Sequence, residues 1–198
     1  MKHNFLLLLI WLVVLIWSAI NPHDYLTWWL EVTPGIIGGV ILIAIYKRFR
    51  FTSLVYFLIL IHCSILFVGG KYTYAENPLF HWIQTMLHGE RNEYDKLGHF
   101  VQGFVPTMVA RELLLRLNVL NRRKWLPLFL VSITMLISSS YELIEWCASV
   151  LTGEGAEAFL GTQGYVWDTQ SDMLFALIGS ISAILLLSRL HDKKLETI

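Results

Sequence analysis

Long apolar runs alternate with short polar segments along the whole chain. A helix that crosses a membrane needs about 20 mostly apolar residues, and six runs reach or approach that length. The runs cover residues 5–20, 33–46, 52–68, 99–117, 125–150 and 171–190. The second is the shortest and begins at Pro34, so its start could extend back through 28–30. The pattern predicts an all-α fold, a polytopic membrane helix bundle of about six transmembrane helices.

The long polar segment between the third and fourth runs contains another helical pattern. Asn77 followed by Pro78 is typical of a helix start, with asparagine as N-cap and proline in the first turn. Gly89 would end this helix. Between them, apolar residues recur at helical spacing, at Leu79, Trp82, Ile83, Met86 and Leu87. We expect a short amphipathic helix in this outer loop, which lies in the membrane interface or, alternatively, caps the bundle.

Composition makes a lipid bilayer the expected environment. The chain is 56% hydrophobic and 15% charged, whereas a soluble domain is about half apolar and a quarter charged. The net charge is zero and no basic patch stands apart from the short loops, which argues against a nucleic-acid partner. Residues 1–198 are interpreted as one integral membrane domain. The first run is expected to be a retained helix rather than a signal peptide, because no small-residue cleavage motif precedes Asn21.

Lysine and arginine residues concentrate in alternate connecting segments. They cluster at Lys2, 47–50, 116–124 and 189–194. The segments 21–32 and 151–168 carry none, and the three cations of 69–98 are offset by four acids. Because cytoplasmic loops carry the excess of positive charge, both termini are predicted to lie in the cytoplasm. The acidic and mixed loops then face outward.

Acidic and histidine side chains gather at the outward ends of three predicted helices. They are Asp95 with His99, Glu142 with Glu145, and Asp168 with Asp172. Each pair is three or four residues apart, so its members share a helix face. Structural roles are the alternative: helix N-caps for Asp95 and Asp168, and ion bridges to Lys71 or Lys96 for the two glutamates. That all three pairs lie at the outward ends of their predicted helices by coincidence is less plausible than such a coincidence for one pair.

Carboxylates within a spanning helix are costly and must be paired, protonated or solvated. A set of carboxylate and imidazole groups at one depth is able to bind a divalent metal ion. It is equally able to transfer protons. We therefore take four residues as candidate catalytic groups, namely Asp95, His99, Glu142 and Glu145. All six residues of the three pairs are candidate metal ligands, and the spacing does not choose the metal.

Several segments in combination resemble the YjdF-type bacterial inner-membrane proteins. The resemblance rests on 69–74, 91–100, 111–112, 141–146 and 163–168 and covers nearly the whole chain. It implies a multi-pass protein of the bacterial inner membrane and no particular reaction. A more remote resemblance is to the VanZ-like membrane proteins, through Asp95, Lys96, His99 and Phe100 followed by acids in the next two spans. That likeness implies a cell-envelope context.

The motif segments also supply candidate substrate contacts close to the acidic cluster. These are Tyr72, Tyr74, Glu76, Arg91 and Gln163. Three functions stay open on the sequence. The first is a metal-dependent envelope enzyme acting on a lipid-linked or small polar substrate. The second is a binding or transport protein for a cation, proton or amine. The third is a structural membrane protein whose polar residues pair to hold the bundle.

Overall fold

Seven α-helices and no strand make up the part of the chain that the computed structural model describes, which is residues 2–120, 122–152 and 162–197. The helices are α1 Lys2–Ala19, α2 Tyr25–Ile45, α3 Ser53–Tyr72, α4 Pro78–Leu87, α5 Tyr94–Arg116, α6 Leu126–Thr152 and α7 Asp168–Leu195. One 3-10 turn, Arg123–Trp125, leads into α6. The predicted all-α fold is confirmed. Part of the segment before α7, residues 153–161, lies outside the described residues.

Four helices are long and apolar enough to cross a membrane by length and composition alone: α2, α3, α6 and α7. Helix α1 has a shorter apolar stretch, Asn4–Ala19. Helix α5 has 23 residues but carries many buried polar side chains. It packs against α3, α6 and α7, so its buried polar groups lie among neighbouring helices.

Helix α2 begins earlier than the start of the second apolar run. Asp24 is its N-cap, because a carboxylate oxygen accepts a hydrogen bond from the Thr27 backbone N–H at 2.7 Å. This hydrogen bond lowers the pKa of the Asp24 carboxyl. Pro34 lies inside the helix rather than at its start. The extension places Glu31 within α2, where its side chain is buried.

Apolar side chains join α3 to helices on both of its sides. One cluster lies between α3 and α5 and includes Val55, Leu58, Val101, Val105 and Met108. The other lies between α2 and α3 and includes Trp28, Val32, Cys63, Leu66 and Phe67. Helix α1 packs on α3 as well. Helix α3 therefore connects the amino-terminal pair of helices to the group formed by α5, α6 and α7.

A buried polar network ties α3, α5 and α7 together at the end of the bundle that carries the loop 47–50. Glu112 is fully buried and accepts hydrogen bonds from the Thr52 backbone N–H at 2.9 Å and the Thr52 hydroxyl at 2.8 Å. Its carboxylate also pairs with Arg116 at 2.8 Å and with His191 Nε2 at 3.0 Å. The other ring nitrogen of His191 lies 2.9 Å from Arg111. Because Arg111 only donates, His191 accepts at Nδ1 and donates from Nε2 to Glu112.

Helix α4 forms where the pattern in the long polar segment between the third and fourth apolar runs predicts a helix. The Asn77 side chain accepts from the backbone N–H groups of Leu79 and Phe80 at 3.1 and 3.3 Å. The chain turns at His88, whose φ is 52°, one residue before the predicted stop at Gly89. No residue of α4 is fully buried, and its apolar side chains Leu79, Trp82, Met86 and Leu87 are exposed.

Candidate functional site

Three of the six predicted ligands converge at the amino-terminal ends of α5 and α7. Asp95 and His99 lie on successive turns at the start of α5, and Asp172 lies one turn into α7. Each offers a ligand atom, and these atoms all lie within 4.8 Å of one another. Their exposed fractions are only 5, 4 and 2%. We call Asp95, His99 and Asp172 the triad.

Two glycines bring the helices that carry the triad unusually close together. A Cβ added at Gly103 of α5 would lie 1.9 Å from the Ala176 carbonyl oxygen of α7. A Cβ added at Gly179 of α7 would lie 2.0 Å from the Phe100 carbonyl oxygen of α5. Only glycine permits such an approach of backbones. The two glycines therefore set the spacing between Asp172 and the ligands on α5.

Gln102 orients the imidazole of the triad. His99 Nδ1 lies 3.2 Å from Gln102 Oε1, and His99 Nε2 lies 3.4 Å from Asp95 Oδ1. In the tautomer in which Nδ1 carries the hydrogen, Gln102 accepts that hydrogen bond and the Nε2 lone pair faces the carboxylate. Metal-binding histidines commonly have this arrangement, with one nitrogen donating to protein and the other free to ligate.

Buried carboxylate oxygens around the triad lack hydrogen bonds from the described residues. They are Asp95 Oδ2, Asp172 Oδ1 and Glu142 Oε1. The nearest cation to Asp95 Oδ2 is an Arg91 nitrogen at 4.0 Å, beyond hydrogen-bond reach. Leaving a buried polar group without a partner is costly. An added ligand at these oxygens would therefore relieve a desolvation penalty.

The two glutamates of α6 lie beside the triad. Glu142 Oε1 is 3.7 Å from His99 Nδ1. Glu145, together with Asp95 and His99, lines a small cavity of about 20 Å³, which is enough for one water molecule. The ion bridges considered as the structural alternative are not formed, since Lys71 donates to backbone carbonyls of α1 and its linker and Lys96 pairs with Glu93 at 2.6 Å.

Glu31 of α2 is a further acid at this site, and sequence reasoning missed it. Its side chain is 2% exposed, lines the same cavity, and lies 3.4 Å from the Tyr141 hydroxyl. The sequence pattern predicts a loop at this position, because the second apolar run starts only at 33. Asp24 as an N-cap, seven residues earlier, was the signal that would have placed it in a spanning helix.

Asp168 is held apart from the triad by Arg91. The two side chains are 2.5 Å apart, and Asp168 is not among the converging ligand atoms. Burial alone would lower the pKa of Arg91, but its hydrogen bond to Asp168 and the charge of that carboxylate raise it above the usual range. Gln163 bonds both backbone groups of Asn92 at 2.9 Å. Arg91 and Gln163 thus join the segment before α5 to the segment before α7.

Tyr74 is clamped between two helices directly beside the cavity. Added Cβ atoms would lie 2.4 Å from its ring at Gly69 of α3 and 2.8 Å from its ring at Gly98 of α5. The pKa of the Tyr74 phenol is raised well above its usual value, first by burial and then by the nearby charge of Glu31. Among the five predicted substrate contacts, Tyr74 is the one that lines the cavity.

Tyr72 and Glu76 lie outside the cavity lining. The Tyr72 ring packs edge-on against Trp17, with centroids 6.1 Å apart. Glu76 pairs with His23 at 3.1 Å, and its side chain is 60% exposed. The structure thus separates these two residues from the triad, the cavity and the Arg91–Asp168 pair.

Comparison with known proteins relates the chain to predicted membrane proteins. Residues 3–193 match the sequence profile of a family described as a predicted membrane protein, DUF2238. The inner membrane protein YjdF of Escherichia coli (strain K12) is 48% identical over 184 residues, which cover 93% of this chain and 88% of the relative. No solved structure matches the chain significantly. The resemblance to the YjdF-type proteins is confirmed, and the likeness to the VanZ-like proteins stays a prediction.

Proposed function

This chain belongs to the DUF2238 family of predicted membrane proteins, and we propose that it is a metal-dependent enzyme of the cell envelope. The reaction takes place at the outer ends of α5, α6 and α7, on a lipid-linked or small polar substrate. One observation carries the proposal. Three buried residues from two helices present ligand atoms within 4.8 Å of one another, and two of their oxygens have no hydrogen bond from the described residues.

The proposal includes a topology. The six long helices all cross the inner membrane, as the name of the Escherichia coli relative supports. Both termini are cytoplasmic, and α4 lies in the outer membrane interface. The exposed apolar residues of α4 favour that position, since Trp82 is 60% exposed and Met86 is 62% exposed. An exposed apolar stripe of this kind is suited to the headgroup region.

Metal binding suits the chemistry of the triad. Ligands about 2.1 Å from a shared ion are at most about 4.2 Å apart, so the widest triad pair has to close by roughly half an ångström. Two carboxylates with one imidazole favour Zn²⁺ or Mn²⁺ over the metals that prefer thiolates. Three protein ligands leave coordination positions for water or substrate, which is the composition of a catalytic rather than a structural site.

The surrounding carboxylates supply the acid–base groups of the proposed enzyme. A bound divalent ion would activate water and polarise a substrate oxygen. Glu142 and Glu145 lie beside the triad and would accept and return a proton at their carboxylate oxygens. Tyr74 would bound the substrate on the side of α3. Glu142 and Asp168, two of the three predicted ligands outside the triad, would complete or tune the coordination through His99 and Arg91.

Metal content is the direct test. We expect about one equivalent of Zn²⁺ or Mn²⁺ per chain by plasma mass spectrometry of protein purified without chelator. His99→Ala and Asp172→Asn are expected to lose it. Asp192→Asn is the matched control, because Asp192 lies on the same helix but pairs with Arg111 at 2.7 Å. Metal-free wild type, or equal metal in the Asp172 and Asp192 variants, contradicts the proposal.

Catalysis is tested separately on envelope material. Lipid extracts of the outer leaflet are incubated with the protein, and products are followed by mass spectrometry. We expect a product that chelator abolishes, that added metal restores and that His99→Ala does not form. Cation transport is the second candidate function, which the cavity lined by Glu31 and Glu145 favours. Metal uptake into proteoliposomes that Glu31→Gln abolishes, without any lipid product, would support transport and overturn the enzyme.

A further inference from the structure

A second cavity lies between α1, α2 and α3, away from the triad. Its volume is about 370 Å³, and its lining is almost entirely apolar. Leu8 and Trp11 line it from α1, Leu42 and Ile43 from α2, and Ile59 and Leu60 from α3. An almost entirely apolar lining of this kind is suited to an acyl chain. We call it the α1–α3 groove.

One end of the α1–α3 groove is polar. Asn4, Tyr46 and Tyr56 line that end. The Asn4 amide donates to the Tyr46 hydroxyl at 3.4 Å. The Tyr56 hydroxyl is buried and has no hydrogen-bond partner within the described part of the chain. A buried hydroxyl without a partner is uncommon in a folded protein, and Tyr56 is one of the residues that line the groove.

Cations without acidic partners stand directly beside the polar end. Lys47 and Arg48 follow Tyr46 in the chain and are exposed. Arg50 lies over the Tyr46 ring, 4.9 Å from its centroid. The sequence has no acid between Glu31 and Glu76, and these three cations form no ion pair with the acids of the described segments.

The apolar groove thus has tyrosine side chains in its lining and exposed cations next to Tyr46 in the chain. We propose that the α1–α3 groove binds one acyl chain of an anionic phospholipid, with its phosphate at Lys47, Arg48 and the Tyr56 hydroxyl. The cations supply charge complementarity to the phosphate, and the hydroxyl donates to a phosphate or ester oxygen. In the proposed topology this lipid belongs to the cytoplasmic leaflet, so the site is separate from the outer triad.

Native mass spectrometry with defined lipids tests the proposal on the full chain. Detergent-purified protein is titrated with phosphatidylglycerol and with phosphatidylcholine of identical acyl chains. We expect one phosphatidylglycerol per chain, bound about 25-fold more tightly than phosphatidylcholine, since each basic residue at an anionic lipid contributes about a factor of five. The double variant Lys47→Gln with Arg48→Gln is expected to lose this preference.

Two matched controls separate the groove from general charge and general hydrophobicity. Arg122→Gln with Arg123→Gln removes the same charge from another exposed loop and is expected to keep the preference. Leu8→Trp fills the groove and is expected to weaken both lipids, whereas Leu9→Trp, at a position 48% exposed on the same helix, is expected to change neither. Equal affinity for the two lipids in wild type overturns the proposal, as does a lipid-free dimer that Leu8→Trp dissociates.

Discussion

Replacing Gly179 with alanine tests how the triad is assembled. The new Cβ would lie 2.0 Å from the Phe100 carbonyl oxygen and 3.0 Å from the Phe104 backbone nitrogen. The first distance is about 1.4 Å short of the 3.4 Å at which ordinary contact begins. Both neighbours are backbone atoms of a helix, so neither is able to rotate away as a side chain would. Helices α5 and α7 must therefore separate.

The cost of that separation follows from packing and from metal geometry. Overpacking a well-packed interior usually costs about 1–3 kcal/mol, and a backbone clash belongs at the upper end, so we expect the variant to lose about 3 kcal/mol. Metal–ligand distances hold to about 0.2 Å, whereas the helices must move by an ångström or so. The separation carries Asp172 away from His99. The variant is therefore expected to lose metal binding even at temperatures where it stays folded.

Gly38→Ala is the matched control. It is also a helical glycine in a spanning segment, but an added Cβ meets nothing within 4 Å. Alanine is favoured over glycine in a helix by about 1 kcal/mol, so this variant should be neutral or slightly stabilised. Both variants are compared in one detergent by thermal melting and by metal content. If the Gly179→Ala variant has the same melting temperature as the Gly38→Ala variant and the same metal content, the close contact between Gly179 and the Phe100 backbone does not have the role given to it here.

Three further substitutions test the N-cap of α2, the end of α1, and the buried polar network around Glu112. Asp24→Asn should keep the cap of α2 but remove its acid sensitivity: the lowered pKa stabilises the folded state above the usual value of 3.8 and the benefit is lost as pH falls through the folded pKa. Hydrogen exchange of the first turn at pH 3 and pH 6 measures this. Lys71→Met should loosen the end of α1 by about 1 kcal/mol, since its ammonium binds two carbonyls there, and exchange of that turn should quicken while α6 is unchanged. Glu112→Leu should cost about 3 kcal/mol, because it leaves His191 and the backbone of Thr52 without their buried acceptor; an unchanged melting temperature would show the network to be dispensable.

Apolar run length was enough to predict most of the helices. The third, fifth and sixth runs match α3, α6 and α7 to within a few residues, because these three helices have the length and the hydropathy that a membrane span needs. The second run failed at its start for a physical reason. Glu31 interrupts the apolar pattern, yet in the folded protein it is buried within reach of the Tyr141 hydroxyl. A hydropathy argument treats such a carboxylate as solvent-facing and cannot see the partner across the bundle.

The candidate site shows the same division between local and long-range information. Spacing along one helix correctly placed Asp95 beside His99, since residues four apart share a face. The same rule put Asp168 and Asp172 together, but Arg91 binds Asp168 and leaves Asp172 with the triad. The close contact of Gly103 with α7 depends on a residue far along the chain. The sequence alone therefore predicts neither the pairing of Arg91 with Asp168 nor the contact of Gly103 with α7.

The clamped ring of Tyr74 has a consequence for how related sequences can differ. Gly69 and Gly98 come from different helices, and each lacks the one atom that would overlap that ring. A larger residue at 69 or 98 is compatible with the fold only if a smaller residue replaces Tyr74. A smaller residue at 74 would in turn leave a void that larger residues at 69 and 98 could fill. The three positions should therefore covary as a set in homologous chains, although they are up to 29 residues apart.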